Sequence, residues 1–542
     1  MTTANSSWTE GYVAELDYTH GYYREMSPSH LELAMMSKQQ AHSVGRQVRY
    51  LELGFGQGVS LNIHAAACGG EFWGTDFNPS QAANAREMAA ASGANVHILD
   101  QSFAELASRD DLPEFDIITL HGIWSWISDE NRRHIAEIAR RRLAVGGLLY
   151  VSYNSTPGWS AAIPLRHLMA LHLELASAES NGLAPRIDAA LGFAEQVIEA
   201  NALYFKANPA VAERLKGMKK HNRNYLAHEF FNADWHPMPF SEVAEYFASA
   251  KLSFAAPANL MSHIDAVNLT VPQQQLLASI SHPVLRESVR DYCENQQFRR
   301  DVFVKGPRGF SPLEQAELVK SWRFVLTTIP SEIGLKIKGA AGEAELHAAI
   351  YKPLIEALAA NKLAPKSVQE LAADPALKSV APVNLLQALV ALNGLSHAAP
   401  ARSEAEIAAQ RPQVAALNAY IIERSIYAPV VNFLASPVTG GGIPVGRLQQ
   451  LMLRAIRRGK KSPQEMALDV WTILEAQGQR VIRDGKSLDS ATENVSELTT
   501  VADEFVTKRL PVLEALCMVE GPGSQAAAPG RSMTSTSSYR AA

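Results

Sequence analysis

YLELGFGQGVS, residues 50–60, is the stretch whose reading decides the fold. A short apolar run ends in an acid, Glu52, and glycines follow at Gly54, Gly56 and Gly58. Glycines in a turn that leaves a strand let a ligand lie against the backbone. A dinucleotide fingerprint would continue as G-x-G-x-x-G, but the sixth position here is Val59. A phosphate loop would end in Gly-Lys-Ser/Thr, and this one does not. The loop therefore keeps the close-approach glycines and lacks the phosphate-specific pattern.

Working outward, strand and helix patterns alternate. VRYLEL reads as a strand and SLNIHAAAC as a helix; EFWGTDF is a strand, and PSQAANAREMAAAS a helix with Pro79 in its first turn. NVHILD is a third strand. FDIITLHG is a fourth, a continuous apolar run of the kind buried on both faces. SDENRRHIAEIARRRLAVGG predicts a helix opened by Ser128, Asp129 and Glu130, with Arg140, Arg141 and Arg142 near its end and Gly146 and Gly147 closing it. LLYVSYN is the next strand. The alternation predicts an α/β fold, a Rossmann-like doubly wound and mostly parallel sheet.

Acids follow consecutive strands. Asp76, in GTDFN, stands where a carboxylate accepts from ribose hydroxyls. Asp100, in LDQSF, ends the next strand and would accept from an adenine amine, with Phe103 against the ring. Either acid alone is equally well a helix cap or loop residue. Glu52 adds a third carboxylate. It would repel a pyrophosphate but suits a ligand carrying an ammonium and a sulfonium. The three together favour S-adenosylmethionine over NAD.

The chain has 542 residues, enough for three or four domains at about 100–200 residues each. A formal net charge of −5 gives no basic footprint, so no nucleic-acid partner is expected. Cys68, Cys293 and Cys517 are scattered and odd in number, which predicts buried thiols rather than disulfides or a zinc site. The N-terminus lacks a secretory pattern, and no apolar run reaches the roughly 18–20 residues of a membrane span. A cytoplasmic location is expected. After about residue 165 the strand signal fades. Residues 171–216 read as a helical connector, 217–305 as a mixed domain, and 306–520 as mainly α-helical. Within the last, SVQELAAD carries a capping box, Ser367 with Glu370, and would pair with NLLQALVALNGL as in a winged-helix module that packs against protein. The tail, 521–542, has a composition expected to be disordered.

ELGFGQG, GTDFNP, LDQSF, LHGIWSWIS and SYNSTPGW, in this order, resemble class I S-adenosylmethionine-dependent methyltransferases. NRNYLAHEFFNADWHPMPFSEVAEYF resembles the start of a methyltransferase regulatory domain. The combination is similar to the bacterial group that includes the rickettsial protein-lysine methyltransferases. The resemblance implies a catalytic domain over residues 1–170, a regulatory domain over 217–305, and release of S-adenosylhomocysteine. It implies donor-binding roles for Glu52, Gly54, Phe55, Gly56, Gly58, Asp76, Phe77, Asp100, Gln101, Phe103 and His121. It also places His121 and the following GIWSW at the reaction centre.

On the acceptor side, an aromatic channel would keep an amine neutral. Candidates are Tyr18, Tyr22, Tyr23, Trp124, Trp126 and Trp159, each of which, taken singly, reads more readily as core. Catalytic roles fall on His121, Trp124, Trp126 and Tyr22. His121 either takes a proton or orients a loop. Asn154 either holds an acceptor or makes a turn. HGIW after the fourth strand is not the N/D-P-P-Y/F motif of DNA amino-methyltransferases, and no Pro-Cys motif exists for a cytosine-C5 enzyme. His221, His228 and His236, with Glu229 and Asp234, match no metal-ligand spacing, so no metal is expected. The expected acceptor is a protein lysine amine. A small molecule or glycan is the alternative, and an inactive scaffold a third. A homodimer is compatible with each.

Overall fold

The computed structural model describes residues 11–13, 20–428 and 431–519; the expected disordered tail, 521–542, lies outside them. Seven strands form the central sheet: β1 (Arg49–Leu53), β2 (Glu71–Thr75), β3 (Val96–Leu99), β4 (Phe115–Leu120), β5 (Leu143–Asn154), β6 (Leu252–Pro257) and β7 (Phe298–Lys305). Their order is β3-β2-β1-β4-β5-β7-β6. The first five pair in parallel, and β7 runs antiparallel to both neighbours.

Alternation along β1 explains the two-sided core. Leu51 and Leu53 face a cluster with Ile118, Val151 and Ile135, while Tyr50 faces the other side with Ile117, Tyr150 and Val304. Helices cover both faces: α1 (Pro28–Ser37), α2 (Val59–Cys68), α3 (Pro79–Ser92), the short α4 (Phe103–Ser108) and α5 (Asp129–Arg142). Ser128 caps α5 by accepting from Asn131 N. The helix stops at Arg142, short of the expected glycines. Residues 143–147 open β5 instead, and Gly146 (φ 79°) sits in that strand.

The sheet does not end with the segment read as the catalytic domain. Its last two strands come from residues 252–257 and 298–305, inside the stretch read as a separate regulatory domain. Between β5 and β6 lie helices that include α6 (Pro209–Met218) and α7 (Arg223–Phe230).

All ten residues of α2 are buried. A helix buried all round needs cover on every side. The sheet covers one side, and the C-terminal third covers the other. Ile63, Ala66 and Ala67 join a cluster with Leu417, Leu434 and Ala435. Arg402 donates to Ala67 O at 2.7 Å, and the Cys68 thiol to Gly440 O at 2.8 Å.

In that third, α8 (Val368–Ala373) carries the expected capping box, with Glu370 N donating to Ser367 Oγ at 3.1 Å. It packs beside α9 (Pro382–Gly394), next to a small antiparallel sheet of residues 366–367, 323–326 and 398–401. Most of α9 is buried against α1 and residues 260–263, so this helix faces protein.

Ile63 is fully buried at the seam between α2 and the C-terminal third. Ile63→Ala is expected to cost about 2–5 kcal/mol, the usual range for a buried isoleucine. A lower denaturant midpoint in equilibrium unfolding checks this; an unchanged midpoint would mean the seam carries no stability.

Candidate functional site

The loops after β1, β2, β3 and β4 converge at the carboxyl edge of the sheet. They enclose a cleft of about 1120 Å³, including its open mouth. Glycine is required at two turns of the first loop. Gly54 (φ 72°) would drive a Cβ to 2.4 Å from Ile123, and Gly58 (φ 72°) to 2.4 Å from Ala85 of α3. The first glycine keeps the cleft floor open; the second lets α2 and α3 touch.

Glu52 and Asp76 line the cleft side by side. Asp76 accepts from Gly56 N at 2.8 Å and from Asn78 N at 3.0 Å. Burial pushes its carboxyl up to about 6, against the pull of those two bonds. Glu52 is 3% exposed, and its Oε2 has no hydrogen-bond partner among the described residues. Burial, with Asp76 alongside, pushes its carboxyl up to about 8. A buried carboxyl with an orphaned oxygen is costly unless something answers it. A donor carrying an ammonium, a sulfonium and a ribose diol fits: the cations complement Glu52, and Asp76 keeps lone pairs for hydroxyls.

At the far end of the cleft, Phe103 and Gln101 follow β3, and Phe77 follows Asp76. Phe77 meets the ring of Tyr12 edge-on at 5.8 Å. Of the residues expected to bind the donor, Glu52, Gly54, Phe55, Gly56, Asp76, Phe77, Gln101, Phe103 and His121 line the cleft. Gly58 acts through the turn. Asp100 points away: it pairs with Arg86 at 2.8 Å, and that bond holds its carboxyl below the usual range.

His121 stands after β4. Its Nδ1 lies 2.7 Å from Tyr150 Oη, and its ring stacks on Tyr23 at 3.7 Å between centroids. Burial lowers its pKa to about 3, so the imidazole is neutral and a poor proton acceptor. Of the two roles left open for it, the geometry favours orientation. Tyr23 and Trp126 also line the cleft.

The other aromatic candidates lie elsewhere. Trp124 is fully buried against Phe247 and Tyr246, in the core beneath the sheet. Trp159 joins a helical cluster with Trp235 and Phe230. The Tyr22 hydroxyl accepts from Gly442 N at 2.6 Å and reaches His64, so it ties α2 to the C-terminal third. Each of the three satisfies its ring through core packing, the reading that periodicity alone could not separate from a site role. Tyr18 lies outside the described residues. Asn154, at the end of β5, donates to Glu229 Oε1 at 3.4 Å. His221 and His236 are exposed while His228 is buried, and no three potential ligands converge among the described residues. Tyr12 and Asn131 line the cleft without any motif in the sequence to mark them.

A family model of a methyltransferase domain matches residues 51–147, and one described as a predicted methyltransferase regulatory domain matches residues 222–305. An uncharacterised protein of Synechocystis sp. is 40% identical over 513 residues, 94% of this chain and 99% of the relative. An uncharacterised protein of Rickettsia prowazekii is 25% identical over 325 residues, 59% of this chain and 57% of that one. Among solved structures, PKMT2 from Rickettsia typhi in complex with AdoHcy superposes with a TM-score of 0.64 at 18% identity, covering 90% of this chain and 98% of that one. That likeness is one of fold.

Glu52 supplies a sign-definite prediction. Its carboxyl binds its proton more tightly folded, at about 8, than unfolded. Between roughly pH 4.5 and 8 the folded state holds the extra proton, so stability is lost as pH rises through that window. Without donor, Glu52→Gln is expected to melt higher than wild type at pH 8, with the difference shrinking toward pH 5. Thermal melts across pH check this; a pH-independent difference would contradict it.

Proposed function

We propose that this chain, which belongs to the S-adenosylmethionine-dependent methyltransferases carrying a methyltransferase regulatory domain, methylates the side-chain amine of a protein lysine. The donor, when bound, supplies a methyl group on a sulfonium. Glu52 and Asp76 hold its cationic and ribose parts, and the loop from Gly54 to Gly58 keeps side chains out of its way. The Tyr23–His121 stack fixes one wall against which reactants align. Alignment of an acceptor with the methyl–sulfur bond is itself a large part of catalysis.

The observation that carries the lysine reading is the aromatic make-up of the cleft wall. Tyr12, Tyr23 and Trp126 all line it. A lysine stem is apolar and its tip cationic, which matches aromatic walls at both ends. Its amine has a free pKa of about 10.4 and must lose a proton before it attacks. Burial among aromatic rings lowers that pKa. The sequence resemblance to rickettsial protein-lysine methyltransferases, and a fold shared with PKMT2 over nearly the whole chain, support the same acceptor.

The test is incubation with methyl-tritiated donor and a bacterial lysate, followed by separation of protein from small molecules and acid hydrolysis. The expected label is in methylated lysine. Label confined to small molecules would sink the reading.

A further inference from the structure

The helix α7 opens the stretch matched by the regulatory-domain model, and it carries an acid that no donor role uses. Glu229 sits where three parts of the chain meet. Its main-chain oxygen accepts from Trp126 Nε1 at 3.1 Å, and Trp126 lines the cleft with Glu229 directly behind it. Its carboxylate Oε1 accepts from Asn154 Nδ2, at the end of β5, at 3.4 Å. One turn earlier on α7 stands Tyr225. Burial raises the phenols of both Tyr225 and Tyr12, Asp76 adds to the rise at Tyr12 and the Glu229 charge adds to both, and each also interacts with Tyr23. Tyr225 and Tyr12 thus interact with this carboxyl and Tyr23 with both of them, directly behind the Trp126 wall of the cleft.

The nearby cation does not neutralise it. Arg214, on α6, lies over the Trp159 ring at 4.2 Å and donates to Gln297 Oε1 at 3.0 Å. It acts on Glu229 only at longer range, and among the described residues it forms no ion pair with it. Packing does not explain an acid here. The bond from Asn154 is long, and a glutamine would accept it equally well without burying a charge.

We propose that Glu229 is the acceptor-side base: its carboxylate receives the ammonium of the incoming amine beside Trp126 and takes its proton. The inference rests on the amine-acceptor reading above. The steps balance. An N–H bond of the ammonium breaks as an O–H bond forms on Glu229. The freed lone pair on nitrogen makes the new N–C bond while the methyl–sulfur bond breaks, and that electron pair stays on sulfur. The proton then passes from Glu229 to water. Burial pushes the Glu229 carboxyl up to about 7, against the Asn154 bond and Arg214, which is near the working pH of an effective general base. Because the base rides on α7, turnover requires that helix to be seated.

Glu229→Gln keeps the shape and the Asn154 bond, and Glu229→Asp keeps the acid with a shorter reach. Both are assayed with tritiated donor and synthetic lysine-bearing peptides, alongside calorimetry of S-adenosylhomocysteine binding and thermal melts. In wild type, kcat/KM is expected to rise with pH through about 7 as Glu229 ionises. Glu229→Gln should lose that limb and roughly 10²-fold or more of the rate, with product binding unchanged and melting no lower than wild type. Glu229→Asp should retain the limb at a reduced rate. A Glu229→Gln enzyme with wild-type rate and pH limb would overturn the assignment while leaving lysine methylation standing. A wild type that labels no lysine would overturn both.

Discussion

Two carboxyl groups, Glu52 and Asp76, lie side by side under a loop of glycines, and the described residues place no cation against either. Each is buried, each is pushed up the pH scale, and one oxygen of Glu52 has no partner among the described residues. Such a pair destabilises the folded chain until a ligand answers it. The surrounding architecture serves to keep it in place. The backbone N–H of Gly56 holds Asp76, and the left-handed turns at Gly54 and Gly58 leave room above it. Behind the loop, α2 is packed on every side, so the loop cannot relax backwards.

That packing ties distant segments to one site. The C-terminal third covers the outer face of α2 through Arg402, Tyr22 and Cys68. Residues 252–257 and 298–305 complete the sheet, so the regulatory stretch is structurally part of the catalytic unit. Its first helix stands behind the cleft wall, where the Glu229 main-chain oxygen holds Trp126 and its carboxylate meets Asn154 at the end of β5.

Much of the cleft's glycine-loop side was legible in YLELGFGQGVS and in the acid of GTDFN. Local rules govern these positions: a glycine turn demands positive φ, and a strand end fixes where the next side chain points. The acceptor half was less legible. Trp124 and Trp126 are two residues apart, yet one faces the core and the other the cleft, and local sequence does not separate them. Tyr22 and Trp159 are claimed by partners hundreds or tens of residues away. Asp100 is drawn outward by Arg86, one helix earlier, which no strand pattern signals. Glu229 stood in the sequence only as a member of a loose histidine-and-acid group. Its neighbours Asn154 and Trp126 are set by the fold, not by spacing.

The central claim is that the paired carboxyls are the donor's recognition elements, and a crystal structure with S-adenosylhomocysteine tests it most directly. The account predicts the ribose hydroxyls on the Asp76 carboxylate at hydrogen-bond distance, about 2.5–3.0 Å, with the amino-acid end of the product lying toward Glu52. A product bound with its ribose on other groups, and Glu52 still without a partner, would contradict it.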